Sequence, residues 1–218
     1  MEGVAEEVKK GRSYDASTRR ARSEGTRQRV LAAARALILE RGYRATTIAA
    51  IASKAEVNVD TVYQLVGRKP VVLRDLIEQA ISGTGRAVVA EERDYVKAML
   101  ASSDPAEKLA IYARAVRRIQ ARMAPLHLAL RDASSTEPEA AEVWREISDR
   151  RAANMRKMIR DLKSTGRLRP GLSVDDAADM VWAMNSAEVY VMLTGERGWS
   201  PKRYERWLAD SWCRLLLE

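Results

Sequence analysis

The sequence contains no phenylalanine, one histidine (His127) and one cysteine (Cys213). A lone thiol cannot close an internal disulfide, which agrees with a reducing cytoplasm. One histidine and one cysteine leave little for a nucleophile–base pair, and a metal at His127 would lack further nitrogen or sulfur ligands. No apolar run approaches the ~18 residues that a membrane-crossing helix needs. The first ten residues hold Glu2, Glu6 and Glu7 and no apolar stretch, so they do not read as a secretory signal. Alternating segments of strand length are missing, and no sheet is expected. Phosphate-binding loops are missing too: Gly83-Thr84-Gly85 lacks a third glycine and a preceding strand. Glu91 and Glu92 are neighbours on a predicted helix and diverge. No catalytic residue, metal site or cofactor is therefore expected.

What is present is charge, and it is unevenly placed. The 218 residues are 46% hydrophobic, enough for one large domain or two small ones, and carry a net charge of +8. Residues 9–69 hold 14 Lys/Arg against 5 Asp/Glu, whereas residues 70–218 hold 24 against 22. Such a basic excess fits an anionic partner, either nucleic acid or a membrane surface. Residues 1–25 are polar and without apolar period, and are expected to form a flexible basic arm. Its Lys9, Lys10, Arg12, Arg19, Arg20 and Arg22 suit a DNA backbone or minor groove, and equally a solubilising tail.

From Thr26 onward the pattern is helical. Val30, Ala34, Leu37, Ile38 and Arg41 recur at three- and four-residue steps, and Gly42 ends the run. Thr46 or Thr47 can cap a second helix, and Asn58 a third that Gly67 breaks. Pro70 suits the first turn of a fourth, which Gly83 or Gly85 bends or ends. Asp104-Pro105-Ala106-Glu107 starts a further helix. Met123–Arg131 reads as a short one, and Glu137-Pro138 opens a long one that stops at Gly166. Ser173 starts another that ends near Gly195, and Ser200-Pro201 the last, through Leu217. The expectation is an all-α protein of about nine helices: a three-helix helix-turn-helix domain over 26–70, then a larger helical bundle over 71–218.

Residues 46–66 suit a helix-turn-helix. Ile48, Ile51, Ala52, Val57, Val62 and Val66 fall where two short helices must pack on the first. Val59, Asp60, Tyr63 and Gln64 fall on the other face of the third helix, where a groove-reading helix carries its contacts.

The stretch Thr26–Leu76 resembles the DNA-binding domain of the tetracycline-repressor (TetR) family. The matching residues are Gly42-Tyr43-Arg44-Ala45-Thr46-Thr47-Ile48, then Ile51-Ala52, Ala55, Val57, Thr61-Val62-Tyr63, Lys69 and Leu73. The end of the chain, Gly195-Glu196-Arg197-Gly198-Trp199-Ser200 and Tyr204-Glu205-Arg206-Trp207-Leu208, resembles a tail of actinobacterial members. Four positions depart from the pattern. Glu56 stands where the family usually has glycine, at a cost of about 1–2 kcal/mol if positive φ persists. Asn58 replaces serine, Leu65-Val66 replaces His-Phe, and Arg68 replaces the usual cap of the fourth helix.

The resemblance implies a sequence-specific, ligand-responsive repressor in the cytoplasm. Its partners would be a double-stranded operator of inverted repeats, a second copy of the chain and a small-molecule effector, with no membrane. The implied DNA-binding residues are Thr26, Arg27, Thr46, Thr47, Asn58, Val59, Asp60, Thr61, Tyr63, Gln64 and Lys69. Tyr63 would reach a phosphate, or else be a half-buried core tyrosine. Lys69, a cation at a helix start, would be relieved by a phosphate or by solvent. Gln64 fits an adenine edge or open solvent. Asp60 fits cytosine N4 or a surface charge that repels phosphates. The C-terminal methionines suit an adaptable pocket or an ordinary core. The pocket candidates are Met99, Tyr112, Met123, His127, Trp144, Met155 and Met184. Trp182, Val189, Tyr204, Trp207, Leu208, Trp212 and Leu215 are the expected dimer face, or else close the core. The competing reading is a helical ligand- or protein-binding module that has lost specific DNA recognition, which the acidic Glu56 and Asp60 would favour.

Overall fold

The computed structural model describes the backbone of residues 5–218 and the side chains from Ala16 onward. Ten α-helices make up the described chain: α1 (Ala5–Ala45), α2 (Ile48–Ala55), α3 (Val59–Leu65), α4 (Lys69–Ser82), α5 (Asp94–Ala101), α6 (Pro105–Ser134), α7 (Pro138–Ser164), α8 (Val174–Met184), α9 (Ala187–Val191) and α10 (Pro201–Leu216). Glu91 and Glu92 lie in a 3-10 turn over Ala90–Glu92, and a π-helical segment, Met192–Glu196, follows α9. Among the described residues there is no strand, only an isolated antiparallel bridge between Leu168 and Leu217. No helix of these residues is long and apolar enough to cross a membrane. The chain divides into two compact units, Met1–Leu73 and Arg74–Glu218.

The N-terminal unit packs α1, α2 and α3 together. Val30, Leu31, Ala34, Leu37 and Ile38 bring one face of α1 to Ile51 and Ala52 of α2 and Val62 of α3, all buried. The chain leaves the helical path of α1 at Gly42 (φ 80°, ψ 165°), where a residue with a Cβ would be strained. The start of α1 differs from the expected Thr26. Helix is already present at Ala5, and the side chains of residues 16–25 are all exposed. A period of apolar residues reports burial, so a solvated helix rich in Arg and Ala leaves no such mark. Arg19, Arg20 and Arg22 are exposed on it, while the side chains of Lys9, Lys10 and Arg12 lie outside the described residues.

In the C-terminal unit α6 is central, packing against α5, α7, α9 and α10. Asp104 caps it by accepting from the Ala106 N–H at 2.9 Å, with Pro105 in its first turn. The short helix expected over Met123–Arg131 is instead the end of α6. Pro125 lies inside the helix, on its exposed side. It removes one backbone bond, but Leu126, His127 and Leu130 continue the buried face of Leu109, Tyr112 and Val116. The helix expected over Ser173–Gly195 is broken at Asn185, and Ser186 caps α9 by accepting from Val189 N–H at 3.3 Å. The buried Lys108 ammonium donates to the Met99 carbonyl and pairs with Asp161, both at 2.8 Å, tying α5, α6 and α7. Trp212 is fully buried and stacks on Tyr112 with ring centres 5.4 Å apart.

Candidate DNA-reading surface and effector cavity

The turn between α2 and α3 is built from backbone hydrogen bonds. Thr47 opens α2, its hydroxyl oxygen accepting from Ala50 N–H at 3.1 Å. Thr46 turns inward: it is buried, and its hydroxyl donates to the Gly42 carbonyl at 2.8 Å. Of the two threonines only Thr47 is therefore available to a partner, which removes Thr46 from the expected contact set. At the end of α2, Glu56 adopts φ 56°, ψ 48° and is the one non-glycine residue of positive φ among the described residues. Its N–H donates to Ser53 O at 3.2 Å, and Val57 N–H donates to Ala52 O at 3.0 Å. This pair of bonds is a Schellman motif, and it holds Glu56 where the left-handed region disfavours any side chain. The motif usually takes glycine because its bonds require that conformation.

Asn58 occupies the cap position of α3, yet its side chain makes no capping bond, and it is exposed. Val62 faces the core with no exposure. Val59, Asp60, Tyr63 and Gln64 face solvent together, at the spacing of one helical face, and Tyr63 is 49% exposed. Tyr63 is thus not a core tyrosine. Thr61 is half-buried beside them. Lys69 begins α4, donates to the Tyr43 carbonyl at 3.3 Å and lies over the Tyr43 ring. Thr26 and Arg27 are half-buried on α1, with the Thr26 hydroxyl donating to Arg22 O at 3.0 Å and Arg27 at 4.0 Å from Glu24.

The C-terminal unit contains a cavity of about 270 Å³. Five of the seven pocket candidates line it: Met99, Tyr112, Met123, His127 and Met155. Trp144 sits behind it with its ring 4.6 Å from that of His127. Met184 packs in the neighbouring core, where its carbonyl accepts from the Tyr204 hydroxyl. Neither belongs to the lining. Met158, another of the C-terminal methionines, also lines it, as do Gln120, Ile147, Arg151 and Asn185, which the sequence did not single out. A helical signal for most of them was present: Val116, Gln120, Met123 and His127 on α6, and Ile147, Arg151, Met155 and Met158 on α7, recur at three- and four-residue steps.

Asn185 organises the polar end of this cavity. Its amide nitrogen donates to the Tyr112 hydroxyl at 2.9 Å and its amide oxygen accepts from Arg151 Nε at 3.1 Å. Its backbone carbonyl accepts from Gln120 Nε2, and Arg151 Nη2 also reaches Asn185 and the Trp182 carbonyl. Burial pushes the Tyr112 hydroxyl far above its ordinary pKa and pulls His127 down to about 4, so both are neutral near pH 7. A wider concavity of about 910 Å³ lies nearby, lined by Arg86, Arg114, Arg118 and Arg122. It opens on exposed arginines and lacks the buried polar side chains of the first.

The expected dimer residues divide by burial. Tyr204, Leu208 and Trp212 are fully buried in this chain's own core, so they have no surface to offer a partner. They recur every fourth residue, which is the signature of a core face as much as of an interface. Trp182, Val189 and Trp207 are partly buried, and Leu215 is 39% exposed.

Residues 30–65 match the model of bacterial regulatory proteins of the tetR family. Over these residues the chain is similar to that family. The match spans the three-helix unit from the buried face of α1 through the end of α3. Solved structures extend the likeness in fold to most of the chain. NalD of Pseudomonas aeruginosa, the secondary repressor of the MexAB-OprM multidrug efflux pump, is 21% identical, with 90% of this chain and 98% of that one covered at a TM-score of 0.70. The fatty acid degradation regulator FadR of Bacillus halodurans is 18% identical, covering 86% and 94% at 0.69. GusR of Salmonella enterica is 17% identical, covering 88% and 95% at 0.62. At these identities the likeness is one of fold. No curated protein sequence matches the chain. Within the tetR family pattern, the departures at Glu56 and Asn58 leave the helix-turn-helix geometry in place, because backbone bonds alone close the turn.

Proposed function

We propose that this protein is a sequence-specific DNA-binding repressor of the tetR family, relieved by a small molecule and acting in the cytoplasm as a homodimer on inverted half-sites. The observation that carries this reading is the exposed face of α3. A helix held by a tight turn and anchored by Val62 presents Val59, Asp60, Tyr63 and Gln64 outward, beside the exposed Thr47. That is how a recognition helix offers side chains to a major groove. The basic excess of residues 9–69 supplies the sequence-independent attraction to phosphate.

Ligand response rests on the cavity and on α4. Ile81 of α4 lines the cavity, the Ala80 carbonyl accepts from Arg122 at 2.9 Å, and Glu78 pairs with Arg150. A ligand that prefers one position of this helix shifts the population between binding-competent and incompetent forms. Dimerisation rests on the apolar surface left by the last helices, including Met180, Met192 and Leu215 at 38%, 45% and 39% exposure.

Footprinting with DNA upstream of the protein's own gene tests the reading. The expected result is a protected inverted repeat with half-sites about one helical turn apart. Equal, weak affinity for every duplex tried would favour instead the helical module that has lost specific DNA recognition, to which Glu56 and Asp60 contribute exposed negative charge.

A further inference from the structure

The polar groups of the cavity specify what fits there. Gln120 is 3% exposed and lines the cavity. The Asn185 carbonyl can only accept, so the Gln120 amide nitrogen must face it, and Gln120 Oε1 is left buried without a partner. His127 Nδ1 is likewise buried and unpartnered. Arg151 forms no ion pair with a carboxylate among the described residues. Its Nε and Nη2 are engaged by Asn185 and Trp182, while no hydrogen bond engages Nη1. Asn185 holds Gln120 and Arg151 at once, which brings an acceptor and a cationic donor together at one end of the cavity. Apolar lining comes from Met99, Val116, Met123, Ile147, Met155 and Met158, among others. The charged residues that also line it are engaged elsewhere: Glu91 pairs with Lys157, Asp161 with Lys108, Arg150 with Glu78, and Arg93 donates to the Val88 carbonyl.

Each simple head group meets these atoms differently. An ammonium would lie beside an unpaired guanidinium. A carboxylate would suit Arg151 but set oxygen against Gln120 Oε1. An ether could accept from Arg151 and would leave Gln120 Oε1 unsatisfied, at the full desolvation cost of a buried acceptor. A hydroxyl donates and accepts through one atom and satisfies both.

We infer that the C-terminal cavity takes an uncharged, largely apolar molecule bearing one hydroxyl group, which donates to Gln120 Oε1 and accepts from Arg151 Nη1. The inference rests on the ligand-responsive reading above and names the chemical class of the effector. The apolar body lies against the methionines, whose flexible side chains adapt to its outline. Neutral His127 sits nearby as a second hydrogen-bonding position without adding charge.

The test is calorimetric titration of the full chain with four probes of one ring system: 1-naphthol, 1-methoxynaphthalene, 1-naphthoate and 1-naphthylmethylammonium. The expected order places 1-naphthol at least tenfold tighter than each of the others. Gln120→Met, checked for fold by circular dichroism, is expected to bring 1-naphthol and 1-methoxynaphthalene within threefold of one another. The wild-type comparison needs no variant and stands if Gln120→Met does not fold. Equal affinity for the naphthol and its methyl ether would overturn the donor requirement. A preference for the naphthoate would make the cavity an anion site, and binding of none would remove this ligand class. Footprinting of the unliganded chain separates the two proposals: operator protection without naphthol binding overturns the inference alone, and naphthol binding without protection overturns the DNA-binding reading alone.

Discussion

Lys69 Nζ lies 4.0 Å from the centre of the Tyr43 ring and donates to the carbonyl oxygen of the same residue. One side chain thus ties the start of α4 to the turn that follows Gly42. It also answers the unfavourable placement of a cation at a helix N-terminus, since the aromatic face and the carbonyl both attract it. Lys69→Ala should lower the unfolding free energy in urea by about 1 kcal/mol, the sum of a partly exposed cation–π contact and a hydrogen bond. If Lys69 also touches a phosphate, the same variant should flatten the plot of log affinity against log salt by about one unit. An unchanged urea midpoint would mean that the tie contributes nothing.

Glu56→Gly should stabilise the N-terminal unit. The left-handed conformation costs a residue with a Cβ about 1–2 kcal/mol, partly offset by the greater freedom of glycine in the unfolded chain. A net gain of about 1 kcal/mol is expected. Glu56→Ala should bring no such gain, because alanine meets the same backbone strain. Urea denaturation of the three proteins distinguishes relief of strain from removal of a charge.

Tyr63→Ala should weaken binding to specific and unrelated duplexes alike, because contacts to phosphate carry no sequence information. Gln64→Ala should relax preference at particular base pairs, by about 1–3 kcal/mol where a bidentate contact is lost. Competition assays with a panel of single-base operator variants read both effects. Identical effects of the two substitutions on sequence preference would contradict the proposed orientation of α3.

For the dimer, burial separates two kinds of substitution. Leu208→Ala should cost about 2–5 kcal/mol of stability, since the side chain has no exposure in the monomer. Met192→Glu with Leu215→Glu should leave the fold intact and weaken self-association, because both side chains keep exposed surface. Sedimentation at micromolar concentration would show a shift from dimer to monomer, with loss of operator affinity. A wild-type chain that sediments as a monomer would contradict the homodimer.

His127 predicts an acid sensitivity. In the unfolded chain its imidazole takes a proton near pH 6.5, while in the folded chain burial holds that pKa down to about 4. The unfolded state therefore binds the extra proton first, and stability is lost as pH falls from about 6.5 towards 4. The whole shift corresponds to roughly 3 kcal/mol. Wild type and His127→Gln, unfolded by urea across this range, should converge in relative stability as the pH drops. Parallel curves would show that His127 does not titrate as its burial implies.

The helix-turn-helix was legible in the sequence because its determinants are local. Thr47 caps its own helix, Val62 and Ile51 fall in phase with the first helix, and Gly42 to Lys69 follow a pattern of fixed spacing. Glu56 could be singled out because it stands where the resembled family has glycine, the residue that a left-handed turn position favours. The apolar residues of α6, α8 and α10 could likewise be assigned to helices by period alone. What the period could not reveal is which neighbour each apolar face meets. Tyr204, Leu208 and Trp212 have the spacing of an interface, and only the packing of α10 on α6 decided that they are core. The continuity of α6 through Pro125 was also tertiary, because burial on both sides of the proline outweighs one lost backbone bond. The polar end of the cavity depended most on the fold: Gln120, Arg151 and Asn185 are far apart in sequence, and hydrogen bonds across three elements bring them together. Local spacing records what a helix is, whereas what its side chains can bind depends on groups that other helices deliver.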